Sequence, residues 1–258
     1  MIETFAPLLL GLAFFVALLG GIEVGRRSGR RQLLRDPDGY RAGAGTIEAA
    51  VFALLGLVLA FTFSGAAARF DERRDLVVEE ANIIGTAYLR LDVLPADSQP
   101  ALRELFRRYL DSRIATYAGI PRGIDPRPEL EHSLQLQQTI WTQAVGATRA
   151  AGSPAVTTIV LPAINELIDI VTTRSMATRK HPPLIIFLLL CGVAMIGAYF
   201  AGHGMTSSTS RHLAHSVGFA VAVAITVYVI LELEFPRLGL IRMDAYDQVL
   251  VALRASWG

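Results

Sequence analysis

Apolar residues along this chain fall into four long unbroken runs, and the polar positions gather between them. The first run, Thr4 to Ile22, has nineteen residues without a charge, enough for a helix to cross a hydrocarbon core of about 30 Å. The second is Thr46 to Ala66, behind Gly43 and Gly45, and its only ionisable group is Glu48. The third, Pro183 to His203, opens at a proline pair that stops one helix and can start the next. The fourth, Leu213 to Leu233, ends in Glu232 and Glu234. Four spanning helices are expected, because backbone facing lipid must satisfy its hydrogen bonds internally and no alternating barrel pattern is present.

Between the second and third runs the pattern changes to helical periodicity with charges. No breaker follows Ala66. Phe63, Phe70, Val77, Ile84 and Leu91 repeat every seven residues, with Ala67, Arg74, Ala81 and Tyr88 between them. This two-stripe heptad predicts one helix of nearly 50 residues, running from the membrane to Leu94. Asp97, Ser98 and Pro100 signal a further helix through Tyr117. A loop rich in proline and glycine covers Gly119 to Pro128. A helix from Glu129 to about Ala150 is expected to place Leu130, Leu134, Trp141 and Val145 on its apolar side. Another, Val156 to Thr178, contains Pro162, where a bend is expected.

The expected architecture is all-α, with four transmembrane helices in two pairs and a helical extramembrane domain inserted between helices two and three. Its parts are a first pair with an arginine-rich loop over 1–66, the domain over 67–182, the second pair over 183–235 and a tail over 236–258. Composition agrees: 52% of the 258 residues are hydrophobic, and mean hydropathy is +0.43, high for a soluble domain. A formal charge of +1 gives no support to nucleic-acid binding. One cysteine excludes a disulfide framework within the chain and any multi-cysteine metal site. The first run lacks the basic start and cleavage site of a secretory leader, so it is expected to be retained. The loop from Gly25 to Gly45 carries six arginines (26, 27, 30, 31, 35 and 41), and the positive-inside rule favours a cytoplasmic side for it. Arg69, Arg73, Arg74, Arg174, Arg179 and Lys180, which flank the central domain, argue the other way.

No phosphate loop, nucleophile elbow, zinc-protease helix or dinucleotide fingerprint occurs, so neither enzyme activity nor a cofactor is expected. His203, His212 and His215 flank the third connection without a carboxylate or thiol beside them, and no metal site is assigned. Ionisable groups at membrane depth are the better lead, because they are costly there. Glu48, in the first turn of helix two, and Glu232, near the end of helix four, are candidates for a polar pore mouth. A helix dipole and interfacial solvation account for the same residues structurally. Arg74, in the intermediate stripe, would form a ring of positive charge if copies of the long helix surrounded an axis. A salt bridge to Asp71 is the plainer expectation.

The stretches Leu59 to Arg74 (LAFTFSGAAARFDERR), Glu80 to Leu91 (EANIIGTAYLRL) and Phe235 to Arg242 (FPRLGLIR) resemble those of the bacterial bestrophin-like membrane family, itself similar to the bestrophins. Bestrophins are pentameric anion channels, with a second membrane helix that lines a narrow apolar neck and a cytosolic middle domain. The resemblance implies a homo-oligomer in the bacterial inner membrane, an inorganic anion as the permeant, and a path lined by Phe63, Phe70, Arg74 and Val77. The acidic calcium clasp of animal bestrophins has no counterpart, since Met243 to Asp247 holds too few carboxylates. A non-conducting membrane scaffold or sensor, with a helical domain that binds a partner protein, is the other reading.

Overall fold

The computed structural model describes residues 2–36, 44–205, 212–236, 240–241 and 243–258. Helix α1 spans Ile2–Arg35, so the basic segment Arg26 to Arg35, expected in a loop, is helical. Glu23 accepts hydrogen bonds from Arg26 Nε at 2.9 Å and Arg27 Nε at 2.7 Å, the i+3 and i+4 pairing that supports a helix. Gly25 does not break it. A β-carbon there would lie 1.9 Å from the Tyr199 carbonyl oxygen, so this glycine serves close approach of two backbones. Arg41 and the connection 206–211 lie outside the described residues.

Helix α2 spans Ala44–Leu89 without interruption, as the heptad predicts, and one 3-10 turn, Arg90–Val93, ends it before Pro95. Helix α3 covers Gln99–Ala118 with a proline in its first turn. Ser98 makes no side-chain cap, so the start depends on the preset φ of Pro100. Helix α4 covers Arg127–Ala151 and stops at Gly152, which adopts φ 63°, a left-handed conformation suited to glycine. Helix α5 spans Pro154–Arg179, and Pro162 lies inside it without ending it. Helices α6, Leu184–Gly204, and α7, His212–Glu234, are the last two membrane helices. Among the described residues, four helices are long and apolar enough to cross a membrane. The segment 236–258, read from the sequence as a tail, contains a further helix, α8, over Asp244–Ala255.

The chain divides into two compact units. One is a helical domain of Phe70–Lys180 with Ile241–Gly258, and the other a membrane bundle of Ile2–Arg69 with His181–Leu240. In the domain, α3 packs on α4 and α8, and α4 packs on α5. Its core includes Ile84, Leu91, Phe106, Tyr109, Ile140, Leu167 and, from α8, Leu250. The apolar side assigned to α4 needs correction. Leu134 is 45% and Trp141 36% exposed, while the buried face is Ser133, Leu136, Gln137, Ile140 and Ala144. The buried polar groups are bonded: Gln137 donates to the Leu167 carbonyl at 3.1 Å and the Tyr109 hydroxyl at 3.2 Å, and Ser133 pairs with Ser112 at 2.8 Å. In the bundle, α1 packs on α6 and α7 around Leu18, Ala194, Ala198 and Ala220.

Candidate functional site

The membrane bundle has a polar cluster at each end of its apolar span. At one end Glu48 of α2 lies 3.8 Å from His203 Nδ1 of α6, and His203 Nε2 lies 3.1 Å from Gln32 Oε1 of α1. Nearby, the Tyr199 hydroxyl donates to Ser28 at 2.9 Å. At the other end Arg69 of α2 holds Glu234 of α7 through Nε, at 3.0 Å, and Nη2, at 2.9 Å. His181 Nδ1 reaches the same carboxylate at 2.9 Å, and its ring stacks on Phe235 at 4.8 Å. Twenty-one residues of helix separate Glu48 from Arg69; at 1.5 Å each this is about 31 Å, the thickness of a hydrocarbon core. Both clusters thus fall at interfacial depth, where buried charge is partnered rather than stranded in lipid.

Glu232, the second mouth candidate, is buried at 1% exposure and accepts the Leu240 N–H at 2.5 Å. Of the lining candidates, Phe63 is 42% exposed, and Phe70 and Arg74 are half-buried. Arg74 Nη1 donates to Asp71 at 2.9 Å, the salt bridge anticipated from the sequence, and its guanidinium stands 4.3 Å over the Tyr246 ring of the C-terminal segment. Val77 has no exposed surface and therefore nothing to present to an axis. The heptad stripe divides. From Val77 onward, through Ala81, Ile84, Tyr88 and Leu91, it is buried in its own chain, whereas Phe63 is 42% exposed.

Within the helical domain the structure assembles a charge cluster that sequence reasoning missed. Glu80 is fully buried and binds two arginines: Arg113, whose Nε donates at 2.6 Å, and Arg174. Arg174 also stacks on the Tyr117 ring at 4.0 Å and lies 3.9 Å from Asp247. Arg113 donates to the Tyr117 hydroxyl. Burial opposes the charge on Glu80, yet the two guanidiniums outweigh it and hold the carboxyl below the usual carboxylate range. Burial likewise pushes the neighbouring Tyr109 hydroxyl upward, and the nearby Glu80 carboxylate adds to this. One signal was available: Glu80 lies between Val77 and Ile84, on the face the stripe buries. Arg73 is also buried, and it donates to the carbonyls of Ala177, at 3.1 Å, and Lys180, at 2.9 Å, closing the C-terminus of α5. Among the described residues no group of three or more histidine, cysteine or acidic side chains is arranged to hold a metal.

Residues 12–244 match the model of the Bestrophin-like domain. Among solved structures, a single-substitution variant of a bacterial bestrophin homologue from Klebsiella pneumoniae superposes with a TM-score of 0.70 at 15% identity, covering 95% of this chain and 98% of the other. A second variant of a bestrophin homologue from the same organism gives 0.69 at 15% identity, over 94% and 99% of the two chains. At that identity the likeness is one of fold. No curated protein matches the sequence.

Proposed function

This chain belongs to the bestrophin-like family, and we propose that it is one subunit of a homo-oligomeric anion channel in the bacterial inner membrane, and not an enzyme. The observation that carries the proposal is the division of α2: its C-terminal stripe is consumed by the chain's own core, while in the membrane half Phe63 stays 42% exposed. In an oligomer built around α2, Phe63 and Phe70 form apolar constrictions, and Arg74 supplies positive charge at half-buried depth. Val77 drops out of the lining. Glu48 and Glu232 act at the ends of the bundle, beside the path.

Purified protein in planar bilayers is expected to pass current, with a reversal potential in a salt gradient that favours anions. Arg74→Glu replaces each positive charge of the ring with a negative one, and is expected to move the reversal potential toward the cation value. Silent bilayers across salt and pH conditions would count for the second reading, a non-conducting scaffold. That reading is favoured by one feature, the exposed Leu134 and Trp141 on the helical domain, which could seat a partner protein.

A further inference from the structure

Helices α2 and α6 touch near one end of the bundle, where a β-carbon on Gly197 would lie 3.3 Å from Leu55 and 3.7 Å from Phe52. Toward the other end they leave a groove of about 260 Å³, lined by Val58, Phe61, Gly65, Ile186 and Leu189, with Arg69 among its walls. The groove is amphiphilic along its length. Val58 and Leu189 lie deep in their apolar runs, and Arg69 comes just after the run of α2 ends. From Val58 to Arg69 is eleven residues, about 16 Å of helix.

The polar end is formed by a guanidinium paired on its inner side. Arg69 uses Nε and Nη2 for Glu234, whose side chain is fully buried, while that of Arg69 is 19% exposed. His181 approaches Glu234 as well, so the carboxylate is shared on the inner side. Arg69 Nη1 makes none of these bonds and points along Gly65, where a β-carbon would lie 3.3 Å from it. Glycine at 65 therefore leaves room for the guanidinium to lie along α2 at the end of the groove. An apolar groove that ends in a partly exposed guanidinium complements one kind of molecule: an acyl chain attached to an anionic headgroup.

We propose that the groove between α2 and α6 binds an anionic phospholipid, with an acyl chain along Val58, Phe61, Ile186 and Leu189 and its phosphate accepting from Arg69 Nη1. The site is independent of conduction. Phe61 and Phe63 are two residues apart, about 200° around the helix, so the groove and the proposed lining occupy opposite faces of α2.

The test is native mass spectrometry of the full-length protein with phosphatidylglycerol or phosphatidylcholine of matched chains. Phosphatidylglycerol is expected to stay bound about fivefold more, the effect of roughly one cationic side chain on an anionic lipid. Arg69→Gln is expected to remove that preference. Leu189→Trp fills the groove from an exposed position without touching the Arg69–Glu234 pair, and is expected to lower retention of phosphatidylglycerol by a similar factor; it serves if Arg69→Gln does not fold. Equal retention of the two lipids, or phosphatidylglycerol binding indifferent to Leu189→Trp, would overturn the proposal. So would lipid binding only after the oligomer is dissociated, which would mean that a second copy covers the groove. Displacement of phosphatidylglycerol by millimolar inorganic phosphate would also overturn it, since the acyl chain would then contribute nothing.

Discussion

At the scale of single residues, the buried triad of Glu80, Arg113 and Arg174 is the clearest case of a group with a decisive environment. Its charges have left water, and they are tolerable only because each carries a partner. Glu80→Gln leaves two guanidiniums facing a neutral amide, and is expected to cost about 3–5 kcal/mol, the range for breaking one side of a buried pair. The carboxyl of Glu80 is held below its ordinary value. Its contribution to stability is therefore complete above the unfolded carboxylate pKa of about 4.3 and is lost as pH falls through the lower folded value. Wild-type melting temperature should fall steeply only in acid. Glu80→Gln should melt low throughout and lose part of that acid dependence, and an unchanged melting curve would refute the account. Sequence could point to Glu80, because it interrupts an apolar stripe. It could not point to Arg113, one of four arginines on α3, or to Arg174, which with Arg179 reads as the basic end of α5; only the folding of both helices against α2 brings them to one carboxylate.

At the scale of elements, periodicity was a good guide to extent and a poorer one to facing. The length of α2, the two membrane helices that follow, and the order of helices in the domain all follow from runs, prolines and caps. Two readings failed for physical reasons. The arginine-rich end of α1 reads as loop because Gly25 looks like a breaker, but that glycine lies at a helix crossing. In α4, Leu134 and Trp141 form an apolar stripe, yet Gln137 and Ser133 turn inward because α3 and α5 offer them hydrogen bonds, which a periodicity count cannot see. The crossing of α1 and α6 gives a sharp prediction. A β-carbon on Gly202 would lie 1.9 Å from the Ile22 carbonyl oxygen, whereas one on Gly192 meets nothing within 4 Å. Glycine to alanine inside a helix is ordinarily favourable by about 1 kcal/mol, so Gly192→Ala should hold or raise the melting temperature in detergent. Gly202→Ala must push two backbones apart, and is expected to cost at least the 1–3 kcal/mol or so of ordinary overpacking. Equal melting of the two variants would show that the crossing is not tight.

At the scale of the whole molecule, the question is what the chain leaves uncovered. Apolar surface on the membrane bundle has lipid or a neighbouring subunit to cover it, but the helical domain faces water. There Leu134, Trp141 and Ile168 line one groove together with Gln138 and Asn165, and Leu134 and Trp141 are exposed. Isolated exposed apolar residues are ordinary, but an aromatic and two aliphatic side chains sharing one groove are the composition of an interface core. A subunit contact of the proposed homo-oligomer through this groove would bury it between copies. Trp141→Asp then places an unpaired carboxylate in that contact, while in the isolated subunit it stays in water. The variant is expected to keep its helical content and its monomer melting, yet to run in detergent at a lower oligomer mass by light scattering. Wild-type and variant of equal mass would remove the groove from the assembly and leave it for a partner protein. A wild-type that is itself monomeric would remove the axis on which Phe63, Phe70 and Arg74 depend.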